Sequence, residues 1–146
     1  MSDTNPNQQS ASPGADQLSG AETVYTGPAI AATLAPLLGF YTLMISHHIS
    51  RLSKEWDKTI HSYGYWIPGS TGTGPDGSIG SYTGKETLAI VVWLVSWAIF
   101  HVLWQKQDLP IKKWQSIFLG AMGLVTLGFF HPLVDPVIYL LIDIFG

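Results

Sequence analysis

The chain has 146 residues, of which 47% are hydrophobic and only 12% are charged, and its formal net charge is −3. Compact soluble domains carry about a quarter of charged residues, so this composition favours a protein embedded in lipid. The absence of cysteine excludes disulfides, thiolate metal sites and cysteine nucleophiles. The slight negative charge provides no basic surface for nucleic acid, and we expect no such partner.

The first 26 residues form a polar segment. They contain no Lys or Arg and no apolar run, so they lack the basic and hydrophobic regions of a secretory signal peptide. Their Pro, Gln, Ser and Gly content is typical of disordered chains. We therefore predict a disordered tail over residues 1–26 and a single membrane domain over residues 27–146.

The first apolar run covers residues 28–49. These 22 residues would extend about 33 Å as a helix at ~1.5 Å per residue, enough to cross a hydrocarbon core of about 30 Å. Beyond the run, Leu52, Trp56 and Ile60 recur every four residues among charged neighbours. This spacing predicts that the helix continues into the membrane interface as an amphipathic segment.

Two further apolar runs follow a Gly-, Ser-, Thr- and Pro-rich stretch over residues 63–84, which predicts a loop. The second predicted span covers residues 87–105 and has no charge, and the third covers residues 111–130. The segment from 132 to 146 is apolar but interrupted by prolines and aspartates, and is too short to cross a bilayer. We predict an all-α integral membrane protein with about three transmembrane helices and a short C-terminal interfacial or re-entrant helix.

Small residues recur at helical spacing in the first and third spans. At three- or four-residue intervals such residues let two helix backbones approach closely. We predict helix packing through both groups, against helices of this chain or of another. Their members are Gly27, Ala31, Ala35 and Gly39 in the first span, and Ser116, Gly120, Gly123 and Gly128 in the third.

Histidines lie near the predicted span ends. An antiparallel arrangement places His47, His48 and His131 at one membrane face and His101 near the other, so His101 and His131 are about 15–20 Å apart along the normal. A bis-histidine site would therefore pair His131 with His47 or His48. Imidazole is a common ligand of metals and tetrapyrroles; alternatively these rings are interfacial and wetted by headgroups. Because His47 and His48 point about 100° apart on a helix, we do not expect both to serve one centre.

His101 lies within the second apolar run, and Trp97 precedes it by one helical turn. Trp97 is close to the middle of the run, where an interfacial aromatic belt does not account for it. An aromatic face beside a histidine would suit axial ligation of chlorophyll or haem by His101. Alternatively, this face packs against a partner helix, with His101 hydrogen-bonded across the contact. The aromatic residues of this face are Trp93, Trp97, Phe100 and Trp104.

The region over residues 85–130 combines a characteristic helix start, spaced tryptophans and a Gly-rich third span. Its signature is Glu86-Thr87-Leu88-Ala89-Ile90, then Trp93, Trp97 and His101, then Trp104-Gln105-Lys106. This region resembles small uncharacterised multi-pass membrane proteins of cyanobacteria and plastids, although the ending Phe129-Phe130-His131-Pro132 departs from that pattern. The resemblance implies a thylakoid or bacterial inner membrane location near photosynthetic complexes, and it carries over no functional residue.

Three functions follow from these observations. We expect a non-catalytic accessory subunit, assembly factor or stabilising factor of a larger membrane complex, with the bilayer and other membrane subunits as partners. The alternative is a tetrapyrrole-binding protein that uses His101, or His131 with His47 or His48, to hold chlorophyll or haem. A membrane enzyme or transporter is disfavoured, because the spans contain no nucleophile–base pair, no buried charge and no repeated halves.

Overall fold

The computed structural model describes residues 24–71 and 80–145, and within them it contains helices and no strand. The all-α prediction is thus confirmed. Residues 1–23 of the predicted tail over 1–26, and residues 72–79 in the middle of the Gly-rich stretch, lie outside the described residues. The helices are α1 (Gly27–Leu52), α2 (Lys54–Ser62), α3 (Tyr82–Trp104), α4 (Ile111–Gly128) and α5 (His131–Phe145).

Two of these helices, α1 and α3, are long and apolar enough to cross a membrane. Helices α4 and α5 pass the same test only together, and they are bent by 70° at the short break between them. The described part of the chain therefore holds two candidate spans, or three if the bent pair is a single span. This architecture is compatible with a multi-pass membrane protein.

Helix α1 lies between α3 and α4 and carries most of the interior. Its residues Ile30, Leu34 and Leu37 are buried and form a small core with Val125 of α4. Farther along α1, the Tyr41 hydroxyl donates a hydrogen bond of 3.0 Å to a main-chain carbonyl of α4. The remaining faces of α3 and α4 are largely exposed, because α1 supplies most of the packing against them and α2 and α5 cover only their ends.

The predicted amphipathic continuation of the first helix is a separate helix. The chain breaks at Ser53, whose backbone is extended at φ −157° and ψ 161°. The Ser53 hydroxyl accepts a hydrogen bond of 3.2 Å from the Trp56 amide and so caps the start of α2. Serine is favoured at this position because its side chain satisfies an amide that the helix leaves unpaired. The predicted apolar series is therefore divided between two helices: Leu52 is the last residue of α1, whereas Trp56 and Ile60 lie in α2.

The predicted loop over residues 63–84 ends earlier than expected, because α3 begins at Tyr82. Gly84 accounts for this start: it lies directly against the Ile60 main-chain carbonyl, and a Cβ atom there would overlap that oxygen. Glycine at this point therefore permits close contact between α2 and the first turn of α3. Composition suggested a flexible loop, whereas the glycine serves helix packing.

Candidate functional site

The end of α1 and the start of α5 bring three histidine rings together. The ring centroids of His47 and His131 are 5.2 Å apart, those of His47 and His48 are 5.5 Å apart, and those of His48 and His131 are 6.0 Å apart. We call these three residues the histidine cluster. The cluster forms because α5 folds back over the last turns of α1. Both His47 and His48 lie beside His131, but their Nε2 atoms point to different partners, so the expectation that the two do not serve one centre stays a prediction.

Within the cluster, hydrogen bonds hold the rings in place. The Nε2 atoms of His47 and His131 are 3.0 Å apart, so one ring donates its N–H and the other accepts it. His48 Nε2 lies 2.7 Å from the Gly128 main-chain carbonyl and therefore donates to it. The Nδ1 atom of His48 is buried without a hydrogen-bond partner among the described residues.

An ion pair flanks the cluster. The Arg51 guanidinium donates two hydrogen bonds, of 2.5 and 3.0 Å, to the Asp135 carboxylate. The two side chains are only partly exposed, at 32% and 25%. This pair was not predicted from the sequence, although both residues follow a cluster histidine by four positions, which places them one turn farther along the same helix faces. The pair is a second contact that joins α1 to α5.

The geometry of the cluster limits its chemistry. Two axial nitrogens on opposite sides of a tetrapyrrole metal would be about 4 Å apart, at about 2 Å per metal–nitrogen bond. The 3.0 Å separation of the His47 and His131 nitrogens leaves no room for a macrocycle between them. Within residues 24–71 and 80–145, no group of three or more His, Asp or Glu side chains is arranged to hold a metal ion. As placed, the cluster is a set of hydrogen-bonded imidazole rings that joins α1 to the α4–α5 corner.

His101 lies in the last turn of α3 rather than deep in the span. Its ring stands 5.5 Å from that of Trp97, tilted by 31°, and the Trp97 side chain is 43% exposed. The expected single aromatic face is in fact divided. Phe100 and Trp104 stack at 4.7 Å and pack towards the core, while Trp97 and His101 lie on the outer side of the helix.

The small residues of α1 pack against α3. Ala31 and Ala35 are completely buried. Gly27 lies against the Trp104 carbonyl, and a Cβ atom on Gly39 would lie 3.0 Å from the Ala89 carbonyl oxygen. These close approaches are the ones that small residues at helical spacing permit.

The small residues of α4 are used differently. A Cβ atom on Gly120 or Gly123 would meet no described atom within 4 Å, and both residues are exposed. The inward side of α4 is formed instead by Phe118, Ala121 and Val125. Gly128 is the exception, because a Cβ atom there would overlap the Met44 side chain of α1.

No protein-family model, curated protein or solved structure matches this chain.

Proposed function

We propose that this chain is a non-catalytic accessory subunit that assembles with, or stabilises, a larger membrane complex. The observation that carries the proposal is the outer side of α3, where Trp97 is exposed and His101 is only partly buried by the rest of the chain. Aliphatic side chains on such a face need only lipid. An imidazole held against apolar surroundings is costly without a polar partner, and a neighbouring subunit would supply one.

The bare glycines of α4 support the same proposal. Gly120 and Gly123 leave a shallow exposed strip on the side of α4 that faces away from α1. The equivalent small residues of α1 are covered by α3, which packs against them. A helix from another subunit would fit the α4 strip by the same close approach, because small residues reduce the distance between helix axes.

The proposed membrane arrangement has α1, α3 and α4 crossing the bilayer and α5 lying along one face, consistent with the 70° bend. For the location we propose the thylakoid or bacterial inner membrane, and for the complex a photosynthetic one. This finer assignment derives from the resemblance of residues 85–130 alone.

Co-purification from the native membrane tests the proposal. A tagged chain extracted in mild detergent should retain partner subunits, and Gly120→Leu or Gly123→Leu should lose them by blocking the α4 strip. Ala32→Leu is the matched control, because Ala32 is also a small exposed helix residue but lies on α1. A chain that migrates alone in several detergents would contradict the proposal, as would equal retention by all variants.

The second candidate function is tetrapyrrole binding at His101, favoured by the position of its ring beside Trp97 on an accessible face. His101 would be the axial ligand, and the indole would contact the macrocycle. The absorption spectrum of the protein purified from native membranes provides the test. A pigment band that disappears in His101→Leu and persists in His61→Gln supports this function, whereas a spectrum without features beyond the aromatic band excludes it.

A further inference from the structure

Three neighbouring side-chain contacts join the corner between α4 and α5 to α1. His48 donates to the Gly128 carbonyl at the end of α4, His47 and His131 share a hydrogen bond, and Arg51 pairs with Asp135. Two of these three contacts involve a histidine. The corner itself is sharp, with a 70° bend between the two helices, and these side chains contribute to holding α5 over the end of α1.

The bond between His47 and His131 depends on its protons in a defined way. With both rings neutral, one N–H donates to the lone pair of the other ring. With one added proton, an imidazolium still donates to a neutral imidazole, and the bond is charge-assisted. With both rings charged, neither Nε2 has a lone pair, and two positive charges face each other across 3.0 Å. Only this last state breaks the bond.

We propose that His47 and His131 form a proton-operated latch that holds the α4–α5 corner on α1 and releases it when both rings are protonated.

The other charged groups around the latch favour its release in acid. Among the described residues, α1 contributes Arg51 and the titratable His48, α3 contributes Lys85, and α5 contributes Asp135 and Tyr139. Helix α4 presents only the Gly128 carbonyl and the neighbouring Phe129 ring. The charges of Arg51 and Asp135 offset each other. Asp57 of α2 interacts electrostatically with Lys85, over a distance longer than that of an ion pair. Asp135 also interacts with His131 and His48, but it is already paired with Arg51, so the described residues around the latch include no unpaired carboxylate to stabilise a second added proton.

The direction of the pH effect follows from proton counting. The docked corner accommodates one proton fewer than the open corner, so acid favours opening. An unconstrained histidine side chain has a pKa of about 6.5, and the docking equilibrium constant should therefore fall about tenfold for each pH unit below that value. A free aspartate titrates near pH 3.9, so measurements between pH 8 and pH 5 leave the Arg51–Asp135 pair charged.

Spin-label distances on the full chain test the latch, since the sequence has no native cysteine. Ile45→Cys on α1 and Leu140→Cys on α5 place labels at exposed positions. The measurement is made in detergent at pH 8 and pH 5, and repeated with Asp135→Asn, which weakens docking so that opening is populated. We expect the distance distribution to shift to longer values at pH 5, most strongly with Asp135→Asn.

Three histidine variants make the test specific. His131→Gln retains an amide donor and acceptor but cannot titrate, so its distances should be equal at the two pH values. His61→Gln is the matched control, because His61 bonds to the Ser70 carbonyl away from the corner, and it should shift like the parent, as should His48→Gln. The latch is refuted if the parent does not shift in either background, if His131→Gln shifts fully, or if His48→Gln alone abolishes the shift.

Discussion

Gly27 lies directly against the main-chain carbonyl of Trp104, so the first turn of α1 and the last turn of α3 meet backbone to backbone. The Gly27 amide donates a hydrogen bond of 3.0 Å to the Gln107 carbonyl just beyond α3. The Leu109 amide donates to the Thr26 hydroxyl at 2.7 Å. The beginning of α1 is thereby fixed to the connection between α3 and α4, at the end of the molecule opposite the histidine cluster.

Gly27→Ala should destabilise the chain by about 1–3 kcal/mol, the usual cost of adding a methyl group to a filled contact. The added Cβ would overlap the Trp104 carbonyl oxygen, and that oxygen belongs to the backbone and cannot rotate away. Thermal unfolding in detergent, followed by circular dichroism, measures the change. Gly123→Ala is the matched control: open space surrounds that position, so the same change should leave the midpoint equal or slightly higher, since Ala favours helix.

Gly39→Leu should separate the middle of α1 from α3. A Cβ atom at position 39 would lie 3.0 Å from the Ala89 carbonyl oxygen and 3.1 Å from the Trp93 Cβ atom, so a larger side chain forces the helices apart. We expect a loss on the order of 1 kcal/mol or more, and a similar loss for Ala35→Leu, because Ala35 is completely buried. Ala32→Leu on the exposed side of α1 should unfold at the parental temperature; equal midpoints for all three variants would mean that this contact does not stabilise the chain.

Tyr41→Phe should weaken the contact between α1 and α4. The Tyr41 hydroxyl is the donor to the Ala121 carbonyl, and hydrogen bonds between membrane helices contribute about 0.6 kcal/mol on average. A decrease of that order in unfolding free energy is expected, without a change in helix content. Tyr139→Phe provides the comparison, because the Tyr139 side chain is 63% exposed, and a decrease as large as that of Tyr41→Phe would assign the effect to the general loss of a hydroxyl.

Long apolar runs made the helices predictable, because a run that excludes water must satisfy its own backbone hydrogen bonds. Counting residues from the span ends also placed His131 at the same end as His47, and the structure has these rings in contact. The break at Ser53 was not predictable in the same way. A four-residue apolar period is satisfied equally by one helix and by two, and only the backbone at Ser53 distinguishes them.

Glycine was the main source of error. The composition of residues 63–84 indicated a loop, yet Gly84 lies in the first turn of α3 because the Ile60 carbonyl occupies the space of its missing side chain. Conversely, Gly27 and Gly120 each belong to a series of small residues in the sequence. Only the structure shows that Gly27 lies against another helix, whereas the space beside Gly120 is empty of described atoms. Glycine spacing indicates that close approach is permitted, and the partner is determined by tertiary packing.

Asp135→Asn should loosen α5 at every pH between 5 and 8. The amide cannot match the paired hydrogen bonds and charge that the carboxylate offers to Arg51. Labels at positions 45 and 140 should report a larger long-distance fraction already at pH 8. Asp143→Asn is the control, because Asp143 is an exposed carboxylate farther along the same helix. The same increase in both variants would indicate that net charge, and not the ion pair, holds α5.

His101→Leu should leave the folding of the isolated chain nearly unchanged and should weaken its external interactions. The ring lies in the last turn of α3, and its aromatic contact is with Trp97 of the same helix, so we expect its loss to affect the packing between helices little. Under the accessory-subunit proposal, less partner is recovered after detergent extraction while the unfolding midpoint stays the same. Under tetrapyrrole binding, the pigment band is lost as well. Thermal unfolding, partner recovery and absorption are measured on one preparation, with His61→Gln as control. If the unfolding midpoint, partner recovery and absorption all equal those of the parent, His101 only contacts the headgroups, because one helical turn separates it from the polar connection after α3. That result would rule out the outer side of α3 as a binding surface.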